Sequence, residues 1–334
     1  MKLTHTRDAS SWRERVLAFS PGRFGSEQGE SRLQKWAFRI PALFMILFFA
    51  LPMALTVVWS VFERTRFWMQ PGFTLLAYEN FFNSARIDSF LHSMIHSAIA
   101  VVISFVMGFP IAVFVRRRIP TTAQHQVILL FLLPFMISEL IRVFSLRPVL
   151  GRYGLVNAVL ERVYMVGKAL INWSYGGIWG QGEVLITAKF EPVSIILYTN
   201  VGVIIGEVLS FLPFMVFAGF LAMEAVQKYI FELCEDLGTG RLRTFFDIVV
   251  PLAAPGIFAG SVFIFVNGLG GALIPDILGG PGAVNAGLIV LDSITALDFP
   301  LAMAISTIML ATLVLLLYIG HRLFGLTNIL EPMR

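Results

Sequence analysis

Few side chains in this 334-residue chain could do chemistry, and most of them sit inside or beside long apolar runs. Glu207 lies near the middle of one such run, 194–222. Translocon scales set the cost of a carboxylate there at about 2.5–3.5 kcal/mol, so it must face protein or water rather than lipid. Glu139 and Arg142 stand at i,i+3 in a second run, a spacing that allows a structural pair. Asn267, Asp276, Asn285, Asp292 and Asp298 follow one another through a region that holds no Lys or Arg. An acidic, cation-free mouth would attract a positively charged solute. The plain alternative is that loop carboxylates are only solvated. Glu207, Asp276, Asn267 and Glu139 are the candidates for a solute path.

His92 and His96, at i,i+4, would present both imidazoles on one helix face, as a metal site does. Interfacial or interhelix hydrogen bonding is the simpler reading, and no metal is expected. The chain contains no GxxxxGK[ST], so it lacks the glycine cradle and lysine that hold nucleotide phosphates. It has no HExxH, CxxC or GxSxG either, which leaves a membrane metalloprotease or serine hydrolase without visible residues. No catalytic residue and no cofactor are expected on this chain. The single cysteine, Cys234, sits in a charged segment that suits a reducing compartment and cannot form an intrachain disulfide.

The elements that must position these residues are apolar helices. Hydrophobic residues make up 57% of the chain and charged ones 14%, well beyond the roughly 45–50% apolar share of soluble domains. Ile40 to Phe62 runs 23 residues without a charge, and about 20 suffice to cross a bilayer core. Six spans are expected, at 40–62, 90–115, 126–146, 194–222, 256–275 and 299–321, preceded by a flexible cytoplasmic tail over 1–39. The run that begins at Ile40 is too long and too late for a secretory signal. The external loop from Arg147 to Glu191 is long, and its stretch Asn172–Glu183 mixes aromatics with glycines in a way that suggests turns or a small hairpin.

Sixteen Lys and Arg fall in the tail, in Arg116–Arg118, between Lys228 and Arg243, and at the C-terminus, while nine are spread over the other face. The positive-inside rule then puts both termini in the cytoplasm. The net charge of +4 is explained by this topology, and no nucleic acid partner is expected.

The same ledger makes 223–255 a cytoplasmic loop. Within it, Glu232 to Pro251 reads as two short amphipathic helices broken at Gly238-Thr239-Gly240, with Pro251 ending the segment. Its apolar residues Phe231, Leu233 and Leu237 must rest on lipid headgroups or on a partner protein.

The spacing of Glu232, Gly238, Ile248 and Pro251 resembles the EAA-x3-G-x9-I-x-L-P loop of binding-protein-dependent ABC importer permeases. Leu133-Pro134-Phe135 with Ile141-Arg142, Tyr153–Asn157, Leu212–Met215, Pro255–Ile257 and Ile274–Gly280 look like the spermidine/putrescine-type subfamily. The likeness covers about 90–321. It departs from the pattern at Leu233 and Cys234, which replace the two alanines, and at Val250, which replaces the leucine before proline.

The resemblance implies an all-α membrane protein of the type-1 permease (MetI-like) fold, with six transmembrane helices and the permease domain over 90–321. It implies a bacterial inner-membrane subunit that imports a small solute, a polyamine such as spermidine or putrescine foremost. Its partners would be two ATP-binding subunits that hydrolyse ATP, a second permease subunit, identical or homologous, an external solute-binding protein, and membrane lipid. The coupling residues carried over are Glu232, Asp236, Gly238, Arg241, Ile248 and Pro251. Related permeases handle opines, iron, thiamine and phosphonates. The rival class is an ion-gradient-driven transporter in which Glu207 would be the ion site.

Overall fold

The computed structural model describes residues 39–324 apart from 42, 180–196, 225, 227, 281, 282 and 284; the expected tail lies outside the described residues except for Arg39. The chain divides into two units, 1–55 and 56–334, and everything after α1 belongs to the second. In order come α1 (Arg39–Trp59), a hairpin of β1 (Glu63–Arg64) and β2 (Met69–Gln70), α2 (Leu76–Phe82), α3 (Ala85–Arg118) and α4 (Thr121–Met136). They are followed by α5 (Glu139–Leu150), α6 (Leu155–Trp179), α7 (Asn200–Ala222), α8 (Lys228–Asp236), α9 (Arg241–Thr244), α10 (Val250–Gly270), α11 (Ala286–Thr295) and α12 (Phe299–Phe324).

Among the described residues five helices are long and apolar enough to cross a membrane: α1, α3, α7, Leu242–Gly270 and α12. The third expected span, 126–146, is not one straight helix. Helix α4 stops at Met136 and the chain resumes at Glu139 after a bend of 85°. The break follows Pro134, and Ile137 and Ser138 take extended ψ angles of 140° and 132°. The Pro134 carbonyl, left over at the helix end, accepts from Ile137 N–H (3.3 Å) and from Arg142 Nη1 (3.2 Å). Apolar composition reports that a segment belongs in lipid, but not whether it turns there.

Pro251 does not act as the helix stop expected of it. A π turn, Phe245–Val249, joins α9 to α10, so Pro251 lies inside a continuous helix from Leu242 to Gly270 rather than ending the segment. A second π turn, Ile46–Ala50, precedes Pro52 in the same way. In each, the residue before the proline donates to the carbonyl five back, Val250 to Phe245 and Leu51 to Ile46. Proline has no N–H and its ring crowds the carbonyl four residues earlier, so a widened turn lets the helix pass through it.

Helix α7 is the centre of the second unit and packs on α3, α4 and α10. Small residues permit the close approach. A Cβ on Gly256 would fall 2.6 Å from Ala222 Cβ, one on Gly260 2.6 Å from Ala218 Cβ, and one on Gly206 2.5 Å from Leu278 Cδ1. Lipid tails are as apolar as leucine, so helices in a bilayer associate through such close packing rather than through water exclusion. The hairpin expected within Asn172–Glu183 is not formed where the chain is described: Asn172–Trp179 continues helix α6. The hairpin that does form is β1–β2, with Glu63 opposite Gln70 and Arg64 opposite Met69.

Candidate functional site

The charged segment folds as a helix, a glycine break and a second helix. Gly238 has φ +69°, and Thr239 N–H donates to Cys234 O at 2.9 Å, closing the end of α8 in a Schellman motif. The left-handed turn costs glycine little because it carries no Cβ. Helix α8 does not expose its whole apolar stripe. Phe231 and Cys234 are buried, and Phe231 joins Phe109, Ala222, Met223, Val249 and Ile257 in a core cluster beneath the Arg117 guanidinium, 4.5 Å from its ring. Leu233, Leu237, Leu242 and Phe246 remain exposed. Phe231 is therefore the anchor that fixes α8 to the spanning helices, and the other four form the outward apolar face. Asp236 and Pro251 are exposed and Ile248 is half-buried, while the side chains of Glu232 and Arg241 lie outside those described. Arg243 pairs with Asp247 at 3.2 Å along the second helix.

Glu207 is buried, 2% exposed, on α7. A Cβ added to Gly268 of α10 would meet Ser97 Oγ of α3 at 2.7 Å and Glu207 Oε2 at 3.1 Å, so the carboxylate and the hydroxyl share the space that the glycine leaves open. Among the described residues Glu207 Oε2 and the hydroxyls of Ser97, Ser104 and Ser210 have no hydrogen-bond partner. Glu207 thus faces protein, at the junction of three helices. Such polar atoms without partners are costly in a low-dielectric interior and are retained where something makes use of them. Ser97, Ser104 and Gly268 were not singled out from the sequence. The signal was present: Ser93, Ser97, Ser104 and Gly108 recur on one face of α3 and are all buried there.

The remaining candidates do not converge on one point. Asn267 donates Nδ2 to Phe263 O of its own helix at 2.8 Å. Asp276 is exposed in a π turn, Pro275–Gly279, whose neighbours Ile274 and Leu278 pack on Gly206, the residue before Glu207. Glu139 is half-buried in the first turn of α5 and makes no ion pair with Arg142, whose Nη1 instead holds Pro134 O. Asn285 has a role the sequence did not assign. It caps α11 through Leu288 N–H (2.9 Å) and donates to Gly268 O (3.3 Å) and Gly271 O (2.7 Å), fixing the last loop to α10.

The mouth expected to be cation-free is not so in three dimensions. Arg64 Nη1 reaches Asp298 Oδ2 at 2.8 Å, and Trp68 packs on Phe299 with ring centroids 4.7 Å apart. Arg64 and Arg86 line a cleft of about 380 Å³ together with Asp292, Ser293 and Asp298. His92 and His96 have ring centroids 6.1 Å apart, and among the described residues no group of three or more His, Cys, Asp or Glu forms a metal-holding cluster.

The sequence pattern of the family described as "Binding-protein-dependent transport system inner membrane component" matches residues 92–332. The spermidine/putrescine transport system permease protein PotB of Haemophilus influenzae is 27% identical over 301 residues, covering 89% of this chain and 96% of that protein. The protein of the same name from Escherichia coli K12 is 27% identical over 286 residues, 85% of this chain and 95% of its own. A chain in the crystal structure of a bacterial alginate ABC transporter, in complex with an alginate pentasaccharide-bound periplasmic protein, superposes with a TM-score of 0.60 at 15% identity. It covers 86% of this chain and 92% of that one, a likeness that speaks for the fold.

Proposed function

The chain belongs to the family of binding-protein-dependent transport system inner membrane components, and we propose that it is the conducting subunit of an ATP-driven importer for a polyamine-type solute. Its class follows from membership: a multi-pass inner-membrane permease of an ABC importer, a transport subunit rather than an enzyme. The finer reading has three parts.

First, coupling runs through α8 and α9 to a separate ATPase. The observation that carries this is the Schellman-closed break at Gly238 beside the exposed Leu233, Leu237, Leu242 and Phe246. An apolar face held at a fixed angle by a buried anchor suits a groove in a partner protein. Leu242 and Phe246 of that face lie on the one helix from Leu242 to Gly270, so a push on them reaches the membrane interior along that helix. Two ATP-binding subunits, a second permease and an external solute-binding protein complete the assembly, with both termini of this chain in the cytoplasm.

Second, the solute is a small cation. Support comes from the named function of the PotB relatives and from Glu207, an unpartnered carboxylate within the span. Third, Glu207 and Asp276 act on the path, with Asn267 and Glu139 in secondary roles. Glu207 lies in the helix junction, so the solute reaches it only when α3, α7 and α10 separate.

The test is reconstitution of the assembly in proteoliposomes. ATP-dependent uptake of radiolabelled spermidine or putrescine, competed by neither sugars nor anions, is expected. Uptake of an uncharged or anionic solute instead would remove the polyamine assignment while leaving the permease class standing.

A further inference from the structure

The long segment after α4 has no assigned role, and its surface is arranged inside out. On α6, Leu155, Val159, Val163, Val166 and Leu170 fall within about 80° of arc at 100° per residue. All five are exposed, at 68%, 54%, 64%, 59% and 60%. The inward side packs one apolar residue, Val156, on the core and is otherwise partly polar. Asn157 is 3% exposed, with Nδ2 on Gly151 O at 3.1 Å, and Tyr164 and Lys168 are half-buried. A helix bathed in water carries the opposite pattern, apolar stripe inward and polar face out.

The direction of the helix says what covers that stripe. Helix α4 starts three residues after Arg116–Arg118 and has 16 residues, about 24 Å against a hydrocarbon core of about 30 Å. It therefore ends before clearing the core. There the chain bends by 85°, which lays Glu139–Leu170 close to the membrane plane, at the depth where α4 stopped, when α4 stands along the bilayer normal. Arg152 and Arg162 are exposed along this segment, and in sequence its last turns carry Trp173, Tyr175 and Trp179, residue types that gather at the bilayer boundary.

We propose that α6 is an interfacial helix, lying in the leaflet opposite Arg116–Arg118 with its Leu155–Val159–Val163–Val166–Leu170 stripe in the acyl chains. The occupant of the stripe is phospholipid, not a second protein. Its function is to hold the α4–α5 bend, and with it the Pro134–Arg142 clasp, at a fixed depth in the membrane. The inference rests on the chain spanning the bilayer and is independent of the solute and of the ATPase.

The test uses the full chain with its partner subunits in phosphatidylethanolamine/phosphatidylglycerol nanodiscs. Nitroxide labels are placed one at a time by Val159→Cys, Val163→Cys, Val166→Cys and Glu161→Cys, and the unaltered chain, whose Cys234 is buried, gives the background signal. Oxygen partitions into the acyl region and a chelated nickel salt stays in water. The oxygen-to-nickel collision ratio is expected to be at least about threefold higher at 159, 163 and 166 than at 161, at a depth of roughly 5–10 Å below the phosphates. Nickel access at all four positions would overturn the proposal in favour of a water-exposed helix. Protection of the stripe from both probes would overturn it in favour of a protein partner on that face.

Discussion

Arg64 Nη1 stands 2.8 Å from Asp298 Oδ2, across 234 residues of sequence. The pair ties the β1–β2 hairpin to the corner between α11 and α12, and Arg64 Nη2 adds a bond to Ala296 O at 3.3 Å. It also changes the electrostatics of the mouth, because the aspartate nearest the corner already holds a cation. Asp292, exposed and on the same cleft, is left as the mouth carboxylate with the weaker claim on Arg64.

Because Arg64 is half exposed, the pair contributes little to stability. A double-mutant cycle of Arg64→Ala and Asp298→Asn should give a coupling of about 0.2–1 kcal/mol, shrinking as salt is raised. Thermal unfolding of the purified assembly at two salt concentrations reads it. A coupling unaffected by salt would mean that the hairpin is held by Trp68 on Phe299 rather than by charge.

Gly238 carries a positive φ with open space where a side chain would go, so its replacement acts through the backbone alone. Gly238→Ala should cost about 1–2 kcal/mol in the left-handed turn. The break between α8 and α9 would then re-form at a different angle, and ATP-driven uptake should fall while the chain still inserts. Gly240→Ala, which also meets open space but needs no positive φ, is the control and should retain uptake.

Glu207 separates a structural role from a transport role by the sign of its effect on stability. Glu207→Leu removes a buried polar atom without a partner, whose retention costs about 1–3 kcal/mol. The assembly should melt at the same or a higher temperature, while spermidine uptake drops by about tenfold or more, the loss of roughly 1.4 kcal/mol of selective interaction. A variant that melts lower and loses uptake in proportion would assign Glu207 to packing alone.

The opening at Gly268 exists to seat Ser97 and Glu207. Gly268→Val should destabilise the assembly by about 1–3 kcal/mol through overpacking. Gly268→Ala should cost less, and Ser97→Gly in the same chain should recover part of that loss because the nearest atom, Ser97 Oγ, is gone. Melting temperatures of the two single variants and the double variant check the non-additivity.

Residue order along the chain was enough to establish that this is a helical membrane protein, that Gly238 breaks a charged amphipathic segment and that Glu207 lies inside a span. Each is local: apolar run length sets membrane insertion, and a glycine between two helical patterns sets a turn. What the tertiary structure decided is which groups meet. It turned Phe231 inward as an anchor and left Leu233 and Leu237 outside, because only the packed ends of α3, α7 and α10 offer Phe231 a pocket. It bent the third span at Pro134, where Arg142 from the next helix supplies the donor that the freed carbonyl needs. It brought Arg64 to Asp298 and placed Ser97 and Gly268 around Glu207. Pairings across 61 to 234 residues leave no mark on local composition, since the energy that selects them is realised only when distant helices come into contact.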